Sequence, residues 1–150
     1  MITVDQINDA FRTAVIGTAP RMLEGRTSWP WRYNDTGDQK QPVRSDARWF
    51  WFEWDGEGDT PDGFMGPLQV DTTVTLSMFV DYGGIPERRV KLVAVDDHKQ
   101  IRDVLNRLKS ANTGLLMVTL GDWAFASNNT DRNQARIVLQ FAVRYMKARG

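Results

Sequence analysis

The chain contains no cysteine and only one histidine. Without cysteine it cannot form disulfide bonds, use a thiol nucleophile or bind zinc or iron–sulfur clusters through thiolates. Apolar runs such as Trp49–Phe52 and Leu115–Val118 fall far short of the roughly 18 residues that a membrane-spanning helix needs. The N-terminus has no basic segment followed by an apolar one, so it does not read as a secretory signal. We expect a protein that is made in a cytoplasm and does not enter a membrane.

An excess of one charge sign is also missing. The 19 basic and 19 acidic side chains give a formal net charge of zero. A protein that binds duplex DNA needs a clustered positive surplus, so this class is disfavoured. A near-zero charge lowers the repulsion between copies, which is compatible with self-association. At 150 residues the chain is predicted to form one domain, residues 1–150, with a core that needs no crosslinks.

The first half of the chain is predicted to contain one helix and three strands. Thr3 to Gly17 has apolar residues at helical spacing and begins with the capping-box pair Thr3 and Gln6. Val70 to Tyr82 alternates between apolar and polar residues, which predicts a central strand with its even-numbered side chains facing the helices. The other predicted elements are an edge strand at Thr27–Tyr33 interrupted by Pro30, a loop at Asn34–Ser45, a strand at Ala47–Trp54 with aromatic residues on both faces, and a loop at Asp55–Pro67.

The second half is more regular. Arg88 to Val95 is predicted as a short extended segment, and Asp96 or Asp97 as the cap of a second helix that ends before Gly114. A strand at Leu115–Leu120 and a long polar loop at Gly121–Gln134 follow. The last segment, Ala135 to Met146, fits both periodicities, but its β-branched and aromatic residues favour a strand. Together these elements predict an α+β fold, a two-layer sandwich in which a mainly antiparallel sheet packs against two helices and long loops project.

The search for chemistry finds no strong candidate. His98 follows two aspartates, so it is either a general base held by a carboxylate or an exposed residue in the first turn of a helix. The acidic stretch from Asp55 to Asp62 has Thr60 and Gly66 where a calcium-binding loop needs glycine and glutamate, and no paired histidines exist. Gly83-Gly84 lacks the Gly-Lys-Ser/Thr of a phosphate loop. We therefore predict no catalytic residues, no bound metal and no cofactor.

Aromatic residues are concentrated in one region. Eight of the sixteen lie between Trp29 and Trp54, interleaved with arginines such as Arg32 and Arg48. Such interleaving suits stacking of single-stranded nucleic acid, although the acidic residues that follow disfavour it. It equally suits a core, or an interface between proteins, where tryptophan, tyrosine and arginine are enriched.

Large apolar residues inside polar, glycine-rich loops need either the domain core or a partner. We therefore predict that the loops at Asp55–Pro67 and Gly121–Gln134 make contacts with partners, with packing on the chain's own sheet as the alternative. Combined with the aromatic cluster, this gives eight candidate interface residues: Trp29, Trp31, Trp49, Trp51, Phe64, Met65, Trp123 and Phe125.

With these elements in order, the chain resembles the tail terminator proteins of long-tailed bacteriophages, also called tail-completion or head–tail joining proteins. The resemblance lies in the N-terminal helix, the strand ending VTLSMFVDYGG, the acid-capped helix VDDHKQIRDVLNRL and the last strand ARIVLQFAVRYMKAR. It covers most of the chain, whereas Thr18–Pro67 departs from the compact pattern in its aromatic content and longer loops.

The resemblance implies a structural virion protein without enzymatic activity. Such proteins form a ring, usually hexameric, that caps the tail tube and offers its other face to the head-completion or adaptor protein, while DNA passes through the lumen without specific binding. The expected location is the head–tail junction of the virion, after assembly in the host cytoplasm. Two alternatives stay open: a head-completion or adaptor protein of the neck, and a domain that binds single-stranded nucleic acid through Trp29–Trp54.

Overall fold

A computed structural model describes residues 2–18, 30–34, 47–64, 69–83, 87–109, 114–125 and 134–148. Five strands form one sheet and two helices pack against it, which confirms the predicted α+β fold. In chain order the elements are α1 (Val4–Ile16), β1 (Trp31–Tyr33), β2 (Arg48–Phe64), β3 (Gln69–Gly83), α2 (Glu87–Asn106), β4 (Leu115–Phe125) and β5 (Gln134–Ala148).

The strands lie in the order β1-β2-β3-β5-β4, so β3 is at the centre as predicted. β1 pairs with β2 in parallel, and every other pairing is antiparallel. The even-numbered apolar residues of β3 are buried in one core with residues of both helices, which confirms the predicted face. This core includes Val74, Leu76, Met78, Val80 and Tyr82.

Helix α1 begins as its sequence predicts. The Thr3 hydroxyl oxygen accepts a hydrogen bond from the Gln6 backbone N–H (3.2 Å), and the Gln6 side-chain oxygen accepts one from the Thr3 N–H (3.0 Å). This reciprocal pair satisfies two backbone donors that the first helical turn leaves open. Ile7, Phe11 and Val15 form the buried stripe that fixes the helix to the sheet.

The predicted loop at Asp55–Pro67 is wrong over the part that the structure describes, because β2 continues to Phe64. Pairing with β3 overrides the local turn preference, and two irregularities in the register absorb the extra residues. One lies between Asp55 and Gly58, where Gly56 has a φ of 67° that suits glycine. The second lies between Asp59 and Phe64. β1 pairs only with the first three residues of β2, so this irregular part forms an edge of the sheet.

Helix α2 begins about nine residues earlier than predicted, at Glu87 rather than at Asp96 or Asp97. The β-branched residues between Arg88 and Val95 suggested an extended segment, but burial decides against it. Val90, Ala94, Ile101 and Leu105 lie on one side of a continuous helix and are all buried in the core. Asp97 and His98 are therefore buried residues in the middle of the helix rather than at its start.

Strand β4 is also longer than predicted and ends at Phe125, so the first five residues of the predicted Gly121–Gln134 loop belong to the sheet. The register places Gly121 and Asp122 together opposite Gln140, which is a β-bulge. Glycine suits this position because a Cβ on Gly121 would lie 3.2 Å from the Gln140 backbone oxygen. The last segment is a strand, as predicted, and β1 lies at the sheet edge, as its proline indicated. None of the helices within the described ranges is long and apolar enough to cross a membrane.

Candidate assembly surfaces

A polar cluster is buried under the helix-covered face of the sheet. Arg48 and Tyr82 lie side by side on β2 and β3, and Asp97 reaches them from α2. The Arg48 Nε donates to Asp97 Oδ2 at 2.8 Å, and the Tyr82 hydroxyl donates to the same oxygen at 2.7 Å. The Arg48 guanidinium also lies 5.1 Å from the centre of the Trp31 ring, within cation–π range.

The chemistry of this cluster is structural. Burial, together with the negative charge of Asp97, raises the pKa of the Tyr82 hydroxyl well above its usual value, so the hydroxyl stays protonated and donates. Arg48 is completely buried, so it is not available to phosphate groups. Trp31 is 2% exposed and packs edge-on against Phe50 on the helix-covered side of the sheet, so its ring is part of the core. The two-residue spacing of Arg48, Phe50 and Phe52 is the one local signal that Arg48 faces the core, and the contacts to Tyr82 and Asp97 depend on the fold.

His98 matches neither of its predicted roles. It is 5% exposed, and its Nε2 lies 3.0 Å from the Gln140 carbonyl oxygen, to which the ring donates across the bulge in β4. The ring also packs edge-on against Phe141. Burial lowers the pKa of His98, and the hydrogen bond to Gln140 opposes that shift. The neighbouring Asp97 binds Arg48 and Tyr82, so it does not hold the imidazole of His98. Through its contacts with Gln140 and Phe141, His98 anchors α2 to the sheet.

The opposite face of the sheet, called the open face below, is covered by none of the described helices. Trp51 of β2 stacks on Phe79 of β3 with 5.0 Å between ring centres and 4° between planes. The Arg136 guanidinium lies 5.2 Å from the Trp51 ring, and Trp51 is only 3% exposed. Half-buried Val138 pairs with Phe79 in the register and continues this apolar area onto β5.

Trp49 lies next to this stack, also on the open face. Its register partners are Arg32 on β1 and Asp81 on β3. The indole N–H of Trp49 is buried, and it finds no hydrogen-bond acceptor among the described residues. Such a group carries a desolvation cost that an acceptor on a second molecule would relieve. The structure thus places Trp49 and Trp51 on the same face of the sheet, with Trp51 nearly as buried as Trp31, and their role in an interface stays a prediction.

Two ion pairs cross the open face from β3 to β5. The Arg136 Nη2 donates to Asp81 Oδ2 at 3.0 Å, and the Arg144 Nε donates to Asp71 Oδ2 at 2.7 Å. Both aspartates are buried, whereas the Arg144 side chain is 48% exposed. The open face is therefore largely shielded from water around Asp81 and Arg136, whereas Arg144 at its other end is in contact with solvent.

The remaining predicted interface residues fall elsewhere. Trp123 and Phe125 lie on β4 rather than in a loop, and they pack against the helix-side core with 6.0 Å between ring centres. This favours the alternative of packing on their own sheet, although the prediction of a contact role stays untested. Phe64 is the last residue of β2, opposite Val70. Trp29 and Met65 lie outside the described residues, as do residues 126–133 of the predicted Gly121–Gln134 loop.

A polar groove of about 540 Å³ lies between the C-terminal end of α1 and α2. Lys99, Asp103 and Arg107 line it, and the side-chain oxygen of Gln100 is buried in its wall without a donor among the described residues. Mixed charges of this kind select no particular ligand class.

Within the described residues, no three histidine or acidic side chains come together as a metal site would require. Comparison with protein-family models and with curated proteins finds no match for this chain.

Proposed function

We propose that this protein is a structural subunit of a phage tail terminator: a homo-oligomeric ring that caps the tail tube and joins it to the head-completion complex. Its partners would be further copies of itself, the tube protein and the head-completion or adaptor protein. DNA would pass through the lumen without specific binding. The working location would be the head–tail junction of the virion, and none of these roles requires catalysis.

The observation that carries this proposal is the construction of the open face. A face built only to meet water would carry polar side chains along its whole length. This one carries the stacked rings of Trp51 and Phe79, half-buried Val138 and a Trp49 indole N–H for which the described residues supply no acceptor. Apolar and aromatic groups with unmet hydrogen-bonding capacity are typical of surfaces that become buried on assembly. A subunit placed between tube and head needs such surfaces in addition to its own core.

The single-stranded nucleic-acid alternative loses its main support. It needs exposed rings beside free cations, but Trp31 and Arg48 are both in the core. Arg136, the cation over Trp51, is already engaged by Asp81. A neck adaptor would bind the portal side, whereas a terminator would bind the tail tube. Identifying which of the two this chain binds therefore decides between them.

The test uses the full chain and tubes assembled from a tail-tube protein, which the proposal expects to be encoded beside this gene. Negative-stain electron microscopy should show a ring at one end of the tube, and mass photometry should give the number of subunits. Binding to the portal side but not to the tube would establish the adaptor instead. Salt-dependent quenching of tryptophan fluorescence by single-stranded oligonucleotides would establish the nucleic-acid role and overturn both.

A further inference from the structure

The net charge of zero conceals a strong separation of charge along the chain. No lysine or arginine lies between Arg48 and Arg88, but that segment contains eight acidic residues. From Arg88 to the end there are twelve basic and five acidic residues. The β2–β3 hairpin is therefore acidic, and the part built from α2, β4 and β5 is basic.

The fold places these charges at opposite edges of the sheet. β2 forms one edge beyond its short pairing with β1, and Glu53 and Asp55 are exposed there. We call these two residues the acidic edge. Two other acids of the hairpin, Asp71 and Asp81, are neutralised by Arg144 and Arg136 on β5, so they do not contribute to it.

At the other edge, α2 runs alongside β4. Lys91 lies over the Phe125 ring with 5.7 Å between its Nζ and the ring centre, and Asn106 binds the backbone of Val118. Helical spacing puts Val95 and Arg102 on the same flank as Lys91. Val95 is 39% exposed, and Arg102 contacts only its exposed neighbour Asp103 among the ion pairs of the described residues. We call Lys91, Val95 and Arg102 the basic flank.

Both edges are protected against the addition of a further strand. On β4, the Asn106 side chain donates to the Val118 carbonyl oxygen (2.8 Å) and accepts from the Val118 N–H (2.7 Å), as a neighbouring strand would. On β2, the irregular pairing after Asp55 and the acidic side chains have the same effect. A lateral contact between two copies must therefore be made by side chains and not by a continuous sheet.

We propose that the acidic edge of one copy docks on the basic flank of the next copy. This inference rests on the proposed ring function and identifies the contact that would close the ring. A contact between two different edges of the same molecule is heterologous, and such contacts generate rings when the rotation between neighbours closes. Complementary charge fixes which edges meet, and exposed Val95 provides an apolar centre between the two cations.

The test reverses the charge of each surface separately. E53K/D55K and K91E/R102E should each raise the concentration needed for assembly by roughly a hundredfold, because like charges then face each other. A 1:1 mixture of the two variants should assemble again, since every contact in an alternating ring is then complementary. The mixed rings would contain an even number of subunits.

Matched controls carry the same change in net charge at other exposed sites. R12E/R107E alters one arginine on each helix outside the basic flank, and D5K/D9K alters two exposed acids of α1. Both controls should assemble as the unmodified chain does, and all variants should retain its thermal unfolding midpoint.

The outcomes separate the two proposals. If the unmodified chain forms rings, free or on tubes, but the reversals leave assembly unchanged or the mixture fails to restore it, the edge contact is wrong and the ring function stands. If the unmodified chain forms no ring in solution or at a tube end, the proposed function is wrong and the edge contact falls with it.

Discussion

On the helix-covered face of the sheet, Arg48 and Asp97 are both removed from water, with side-chain exposures of 0% and 1%. On the open face, each aspartate is equally buried, but its arginine keeps some access to solvent, 11% for Arg136 and 48% for Arg144. The helix-covered face thus pairs Arg48, Tyr82 and Asp97 with one another inside the chain. The open face completes its ion pairs but leaves the Trp49 indole N–H without an acceptor among the described residues, and the proposed function rests on this difference.

The largest effect that this comparison predicts comes from Asp97→Ala. Removing Asp97 takes a carboxylate partner from the completely buried Arg48 and the acceptor from the Tyr82 hydroxyl, so we expect a loss of about 3–5 kcal/mol in the free energy of unfolding. Asp81→Ala should cost less, because Arg136 can turn toward water. Chemical denaturation of both variants measures the difference.

Asp103→Ala is the control for the Asp97 variant, since it removes an exposed aspartate from the same helix and should change stability little. The triple variant R48M/Y82F/D97L should recover much of the loss, because apolar groups of similar volume can replace a buried polar cluster when all of its members are removed together. Equal losses for Asp97→Ala and Asp81→Ala would show that the two faces do not differ in this way.

The sequence predicts an element correctly when the interactions that form it lie within the element itself, and fails when they come from distant segments. The alternation of β3 and the capping box of α1 are local signals, and both elements form where predicted. The start of α2 was misplaced because Asp97 is satisfied by Arg48, 49 residues away in sequence. The continuation of β2 past Trp54 was missed because pairing with β3 outweighs the glycines and prolines of that stretch.

The same limit applies to the candidate interface. Aromatic content singled out Trp31, Trp49 and Trp51 together, but only the strand register separates Trp31, which faces the core, from the two residues on the open face. The opposite charge of the two sheet edges likewise depends on the strand order β1-β2-β3-β5-β4, since composition alone gives a net charge of zero.

A smaller effect is expected at the β4 edge, from Asn106→Ala. The variant loses both hydrogen bonds to Val118, a residue in the core, so we expect a loss of about 1–3 kcal/mol. The newly opened edge should also increase non-specific association, measured by light scattering during storage. Arg107→Ala, one residue further along and exposed, serves as the control. Unchanged stability and scattering would mean that Asn106 does not protect this edge.

A still smaller change in stability is expected when the indole N–H groups of Trp54, on the helix-covered face, and Trp49, on the open face, are removed in turn. On the helix-covered side, the Trp54 Nε1 donates to Asn8 Oδ1 at 2.8 Å, so Trp54→Phe should lose about 1 kcal/mol. Trp49→Phe removes an N–H that has no acceptor among the described residues, so the isolated chain should keep or slightly gain stability. If assembly supplies the acceptor, Trp49→Phe should instead weaken ring formation. Equal losses of stability from Trp54→Phe and Trp49→Phe would contradict the proposed difference in hydrogen bonding between the two indole N–H groups.

The smallest expected effect is a pH dependence from His98, which anchors α2 to the carbonyl of Gln140. Burial lowers its pKa in the folded chain, so the unfolded chain binds the proton more readily. The contribution of His98 to stability is therefore complete above the unfolded value of about 6.5, falls as the pH drops toward the folded pKa, and levels off below it.

Because His98 is the only histidine in the chain, the imidazole proton resonances of the untagged protein report its pKa directly. Denaturation between neutral and mildly acidic pH should show the loss of stability in the unmodified chain. His98→Gln, whose side-chain amide can still donate to Gln140, should lack this part of the pH-dependent loss, while the carboxylates titrate alike in both chains. A resonance that titrates at or above about 6.5 would contradict the assignment of His98 as a buried anchor, since an exposed imidazole has that value.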